Sequence, residues 1–182
     1  MNLDEAFDLF EARGQESYGE AITQRAHALQ SGLQAERAGA SAALVTAAVL
    51  HDIGHLLHRD TQAAYDSATD DRHEAIAAKA LAPLFGPEVV EPVRLHVHAK
   101  RYLCQAEPGY HDALSETSKM TLHLQGGPMT AEEAAVFRRS PHFDAALQLR
   151  RWDEAAKVPD LATPDLTHYR AIARTCLSTG AA

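Results

Sequence analysis

Apolar residues recur along this chain at three- and four-residue intervals, and the strict alternation of a strand is essentially absent. Leu3, Phe7 and Phe10 line one face of a helix over 3–12, which Gly14 ends. Ser17-Tyr18-Gly19-Glu20 has the form of a capping box, a serine followed three residues on by a glutamate. It predicts a helix from there to about Arg37, closed by Gly39, with His27 among Ile22, Ala26, Leu29 and Leu33. Ser41 caps the next helix, which carries His51, Asp52 and His55. Residues 58–71 are polar and predict a mobile loop over whatever site those residues form. His73-Glu74 opens an alanine-rich helix through about Phe85. Gly86-Pro87 breaks it, and Pro87 suits the first turn of a helix running towards Tyr102 with His96, His98 and Lys100.

Gly109 marks a turn before a helix over 111–124, with Leu114, Met120, Leu122 and Leu124 on its apolar face. Gln125-Gly126-Gly127-Pro128 is a tight break, and Thr130-Ala131-Glu132-Glu133 is a second capping box. A helix after Pro141 ends near Arg150-Arg151-Trp152-Asp153. Thr163-Pro164-Asp165 reads as cap, first-turn proline and early acid of a last helix. There is no repeat, low-complexity segment or internal linker. The expected fold is all-α, a compact helical bundle forming a single domain over 1–182.

Composition narrows the function. The net charge of −8 argues against nucleic acid or an anionic membrane as partner. No stretch reaches the ~18 consecutive apolar residues of a transmembrane helix. The acidic start Met1-Asn2-Leu3-Asp4-Glu5 lacks the basic opening of a signal peptide. Cys104 and Cys176 are too few for a disulfide framework, so a reduced cytoplasm is the simplest setting. Eleven histidines are the outlier and point to metal chemistry.

The apolar run from Ala47 to Leu57 is interrupted only by His51, Asp52, Gly54 and His55. A buried helix has little use for an imidazole beside a carboxylate unless something satisfies both, and a metal ion does. His51 and Asp52 can grip one ion from two sides, the free Asp52 oxygen can reach a second, and His55 shares the His51 face. The bland alternative is a satisfied core histidine beside an incidental acid. It weakens because His27, His73, His96 and Asp153 also lie on or beside apolar helix faces. Those six ligands suit two metals about 3.5–4 Å apart, bridged by Asp52. Four imidazoles with two carboxylates favour iron, manganese or zinc over magnesium or calcium.

The order His27, His51-Asp52, Asp153 resembles the HD-domain superfamily, and His73 and His96 resemble its dinuclear branch. Further strings are similar to the HD-domain mixed-valent diiron oxygenases of organophosphonate catabolism. They are Gly19-Glu20-Ala21-Ile22, Arg72-His73-Glu74, Ala99-Lys100-Arg101-Tyr102-Leu103, Ser118-Lys119-Met120-Thr121, Gln125-Gly126-Gly127-Pro128-Met129 and Trp152-Asp153, within about 17–158. The resemblance implies two iron ions in the Fe(II)/Fe(III) state with dioxygen as co-substrate. His27, His51 and Asp153 would bind one iron, His73 and His96 the other, and Asp52 would bridge. His55, Lys100, Ser118 and Thr121 would hold phosphonate oxygens, Gln125 would lie near the site, and Glu20 would face the substrate's nitrogen. Lys100, one turn beyond His96, can reach an anion bound at the metal. Tyr102, Phe143 and Trp152 read as core, and His98, His111, His123, His142 and His168 as surface.

The implied reaction is oxidative cleavage of the carbon–phosphorus bond of a (1R)-1-hydroxy-2-(trimethylammonio or amino)ethylphosphonate, giving phosphate and glycine betaine or glycine. The family's tyrosine three residues before the glutamate is Ser17 here, with Tyr18 one step later. That departure opens space at the nitrogen end, where Tyr18 or Tyr65 could supply an aromatic wall, and tilts the expectation towards the trimethylated substrate. The same ligands would equally serve an HD-type phosphohydrolase acting on a phosphate ester, and an inactive helical binding module is a third reading.

Overall fold

The computed structural model describes residues 1–17, 21–57 and 72–179. Among them lie eleven helices. They are α1 (Leu3–Arg13), α2 (Gln24–Arg37), α3 (Ala42–Leu50), α4 (Ile53–Leu57), α5 (His73–Leu81) and α6 (Pro87–Ala106). Then follow α7 (Tyr110–Ala113), α8 (Glu116–Leu124), α9 (Ala131–Phe137), α10 (Phe143–Ala155) and α11 (Leu166–Arg174). No sheet forms among the described residues; only isolated bridges pair Ser17 with Thr23 and Phe85 with Leu177. The all-α expectation holds. Residues 58–71, Tyr18 and Glu20 lie outside the described residues, and so do the predicted loop and Tyr65.

Local chemistry explains most helix ends and corrects several. Ser41 and Thr130 cap as expected, the latter in a full capping box with Glu133. Ser17 does not cap α2: Thr23 does, accepting from the Ala26 amide, while Ser17 is drawn into its bridge with Thr23. Asp165 rather than Thr163 caps α11, its carboxylate accepting from the His168 amide at 2.9 Å. The predicted helix over 111–124 is two, because Leu114 is extended (ψ 146°) and Ser115 starts a new cap. The helix predicted to carry His51, Asp52 and His55 is also two. The α3 helix ends at Leu50, and His51 and Asp52 form the turn into α4.

One apolar cluster joins Phe7 and Phe10 of α1, Val49 and Leu50 of α3, Ile53 and Leu56 of α4, Leu81 of α5, Val93 of α6 and Tyr169 of α11. A second joins Leu95 and Ala99 of α6 to Met129, Phe137 and Ala146, with Tyr102 and Phe143 against it. Helix α6 therefore belongs to both. Two close approaches set the site. A Cβ at Gly32 would lie 2.6 Å from Val49 and 2.8 Å from Tyr169, so glycine lets α2 settle onto α3 and α11. Below it, the Gln30 side chain donates to the Val158 carbonyl at 2.7 Å and accepts the Val158 amide at 3.0 Å. This satisfied buried pair clamps α2 to the chain leaving α10.

Candidate metal centre

Six side chains from five segments converge in the interior: His27 of α2, His51 and Asp52 of the α3–α4 turn, His73 opening α5, His96 inside α6, and Asp153 near the end of α10. All are buried. The imidazoles meet in two pairs. His27 Nε2 and His51 Nε2 are 3.3 Å apart, and His73 Nε2 and His96 Nε2 are 3.1 Å apart. Asp52 lies between the pairs. Its Oδ2 is 3.7 Å from His27 and 3.3 Å from His51, while its Oδ1 is 3.4 Å from His73 and 3.5 Å from His96. Asp153 Oδ1 closes the first pair, 3.4 Å from His27 and 3.9 Å from His51.

The far ring nitrogens decide what those pairs are. His27 Nδ1 faces the Ala156 carbonyl at 2.9 Å, His51 Nδ1 the Ala48 carbonyl at 2.8 Å, and His96 Nδ1 the Val93 carbonyl at 2.7 Å. A carbonyl only accepts, so each Nδ1 carries the proton and each Nε2 presents a lone pair. Lone pairs of His27 and His51 thus point at each other across 3.3 Å. Asp52 Oδ1 is buried without a hydrogen-bond donor. Cations relieve both conflicts, and an imidazole held by a backbone carbonyl is the usual support of a metal ligand. The donor set therefore fits two metal ions bridged by Asp52.

The electrostatics of Asp52, Asp153 and His96 agree with that donor set. Burial alone would raise the Asp52 carboxyl, but His51, then His73 and His55, hold it well below the usual carboxylate range. Burial likewise opposes charge on Asp153, which Arg150, His27 and His51 hold down. Burial, reinforced by His51, pushes His96 well below an ordinary imidazole and keeps it in the ligating form. His51 goes the other way: burial opposes its protonation, and Asp52 outweighs it.

Around the centre, His55 stacks on His73 with ring centroids 4.1 Å apart and forms a further ligand-capable group with Asp52 and His73. Lys100 is buried in α6, one turn beyond His96, and donates to Thr121 Oγ1 at 2.9 Å. Burial, with Arg150 adding to it, lowers its ammonium to about 7. Ser118 is buried one turn before Thr121, and Gln125 ends α8 with its Oε1 buried and lacking a hydrogen-bond partner. An open groove of about 700 Å³ lies apart from the six ligands, lined in part by Arg94, His98, Met129 and Phe137. His98, read from the sequence as a surface residue, is half-buried in the wall of that groove.

Sequence reasoning missed Arg150, Glu154 and Lys157. The Arg150 guanidinium is buried and donates to Asp153 Oδ2, to Glu154 Oε2 and, at 3.1 Å, to the Tyr110 hydroxyl. It thereby holds the Asp153 carboxylate with Oδ1 turned to the His27–His51 pair. The available signal was spacing: Arg150 stands three residues before Asp153, on the same helix face.

The HD domain family matches residues 25–139. The hydroxymethylphosphonate dioxygenase of Gimesia maris is 44% identical over 172 residues, covering 94% of this chain and 86% of that protein. The glycine-betaine-forming [1-hydroxy-2-(trimethylamino)ethyl]phosphonate dioxygenase of Leisingera caerulea is 41% identical over 162 residues, covering 88% of this chain and 83% of that protein. An uncharacterised protein of Acanthamoeba polyphaga mimivirus is 34% identical over 173 residues, covering 93% and 79%. These matches reach past the HD-domain segment to Asp153 and the end of α10. The chain belongs to the HD-domain family, in the branch that holds these phosphonate dioxygenases.

Proposed function

We propose that this protein is a dinuclear iron oxygenase that uses dioxygen to cleave the carbon–phosphorus bond of a small 1-hydroxyphosphonate, giving phosphate and a carboxylate. The observation that carries the reading is the buried Asp52 between two imidazole pairs, with a buried lysine one turn from His96. His27, His51 and Asp153 would hold one iron, His73 and His96 the other, and Asp52 both. When bound, the irons supply dioxygen binding and the electron transfers that oxidise the hydroxyl-bearing carbon.

The chain's own groups supply orientation and charge. Lys100 holds the phosphonate, its charged form favoured once an anion arrives. Thr121, already 2.9 Å from that ammonium, and Ser118 one turn before it present hydroxyls on the same side of α8. His55, stacked on His73, adds a donor for a phosphonate oxygen, and Gln125 closes the end of α8. The aliphatic surroundings in Leu50, Ile53 and Ala99 keep bulk water from these charges, which strengthens each interaction.

The two named relatives act on compounds that share the 1-hydroxyphosphonate and differ in what else the hydroxyl carbon bears. Ser17 is exposed and paired with Thr23, which supports an open nitrogen end and the trimethylammonium compound over the primary amine. Glu20 and Tyr18 complete that end of the reading. The test is oxygen uptake and phosphate release by iron-loaded protein with three 1-hydroxyphosphonates, bearing hydrogen, aminomethyl or trimethylammoniomethyl. Phosphate release that continues without oxygen would sink the oxygenase and favour hydrolysis. Activity with one zinc or magnesium per chain would sink the diiron assignment. A strong preference for the aminomethyl compound would overturn the substituent reading alone.

A further inference from the structure

Helix α8 makes no extended backbone approach to any other helix among the described residues, and it buries only Ser118 and Leu122. Yet it carries both hydroxyls assigned above to the phosphonate. Two lysines from elsewhere in the chain hold those hydroxyls. Lys100 of α6 donates to Thr121 Oγ1 at 2.9 Å. Lys157, beyond the end of α10, donates to Ser118 Oγ at 2.9 Å.

Lys157 is placed with care. Its ammonium also lies 3.2 Å from Ser115 Oγ, the cap of α8, and 3.0 Å from Glu154 Oε1. An ammonium has three donors and no acceptor, and these three oxygens offer one acceptor each. Glu154 is fixed in turn by Arg150, which also holds Asp153. A continuous polar chain thus runs from a metal ligand to the cap of α8: Asp153, Arg150, Glu154, Lys157, Ser118 and Ser115.

We infer that Lys157 is a positioning residue for the phosphonate, acting through the Ser118 hydroxyl; this rests on the phosphonate reading above. A serine hydroxyl both donates and accepts. With Lys157 occupying a lone pair, the hydroxyl proton is left to point at an acceptor. In the free protein that acceptor is Glu154 Oε2, at a long 3.4 Å. A weak bond to the carboxylate is readily exchanged for a stronger one to a phosphonate oxygen, and the lysine charge polarises the hydroxyl for it. Lys157 and Lys100 then act as a matched pair, each serving one hydroxyl of the same helix turn.

The experiment measures binding of hydroxymethylphosphonate, which reads only the phosphonate end, to metal-loaded protein without oxygen. It compares wild type, Lys157→Met, Ser118→Ala and the double variant, alongside kcat, KM, metal content and melting temperature. Lys157→Met should weaken binding about tenfold, the order of one charge-assisted hydrogen bond. KM should rise in step while kcat, metal content and melting temperature stay near wild type. The double variant should bind no worse than Ser118→Ala, because the lysine acts through that hydroxyl. Unchanged binding in Lys157→Met overturns the inference alone. So do losses that add in the double variant, or a loss of metal or of folding in Lys157→Met. Absence of phosphonate binding in the wild type overturns the functional reading, and the inference with it.

Discussion

Gly54→Ala tests whether the two halves of the centre depend on backbone contact. Gly54 lies in α4, two residues after Asp52, and packs against the start of α5. A Cβ there would stand 2.1 Å from the His73 carbonyl oxygen and 2.8 Å from its carbon, where ordinary contact is 3.4–4 Å. The neighbour is backbone, so no side chain can swing aside. The α4 and α5 helices must part by at least 1.3 Å to restore 3.4 Å. Such overpacking costs about 1–3 kcal/mol. For a chain of this size that is a fall in melting temperature of roughly 2–12 °C.

The larger effect falls on the metal. His73 is the residue contacted, and Asp52 lies two residues from the added methyl. Metal–ligand distances tolerate only about 0.2 Å, so a shift above 1 Å should remove the His73–His96 ion while the His27–His51–Asp153 ion remains. Metal content should fall from two ions per chain to one, with turnover lost. Gly39→Ala is the control. Gly39 has φ 70° and open space around it, so alanine there strains the backbone by about 1 kcal/mol and leaves metal content untouched. A Gly54→Ala protein that holds two ions at the wild-type melting temperature would refute this reasoning.

Four further outcomes are expected. Removing metal with a chelator should lower the melting temperature by roughly 5–10 °C, the effect of ~2–3 kcal/mol of ligand stabilisation; an unchanged transition would contradict a centre with opposed lone pairs. Asp52→Asn should lose at least one ion and all turnover, and its metal-free form should melt below metal-free wild type, since His51 and His73 lose the carboxylate that pairs with them; two retained ions would contradict the bridge. Arg150→Met strands the Asp153 carboxylate and should cost about 3–5 kcal/mol, with metal affinity falling ~10–100-fold; near-wild-type stability would show that the guanidinium is not needed. Lys100, with its ammonium at about 7, is protonated below that pH, so phosphonate affinity should fall as pH rises through 7. Lys100→Arg should flatten that alkaline fall, and an equally steep fall in it would assign the titration elsewhere. The folded-state value lies below the ordinary lysine value, so this group binds more protons in the unfolded chain between about 7 and 10.5, and its own contribution to stability rises with pH there.

The helices and the six converging side chains were legible because each of the six is a polar residue in or at the end of an apolar helical pattern. His27 falls among Ile22, Ala26 and Leu29, and His51-Asp52 cuts the run from Ala47 to Leu57. Helix ends were read less well, because local capping rules compete with tertiary pairing. Ser17 fits a capping box by sequence, but its backbone is taken by Thr23, which caps α2 instead. The break after Leu50 carries neither glycine nor proline. It is stabilised by the His51 ring, whose Nδ1 donates to the Ala48 carbonyl in the last turn of α3. The same bond turns Nε2 towards His27 and Asp52, so the end of the helix and the orientation of the proposed ligand are one event.

The supporting shell was hidden for a different reason. Arg150, Glu154 and Lys157 look like the charged last turn of an exposed helix, where basic residues commonly face solvent. What buries them lies far away in sequence. Tyr110 meets Arg150 across 40 residues, and Ser118 meets Lys157 across 39. Periodicity along one helix carries no record of such neighbours, so a candidate ligand such as Asp153 can be read from its own helix while the groups that aim it cannot. Yet the polar chain from Asp153 to Ser118 would connect the metal centre to the helix proposed to hold the substrate's anion. The residues that would tune such a centre are of this second kind, their charges fixed by contacts that no local pattern announces.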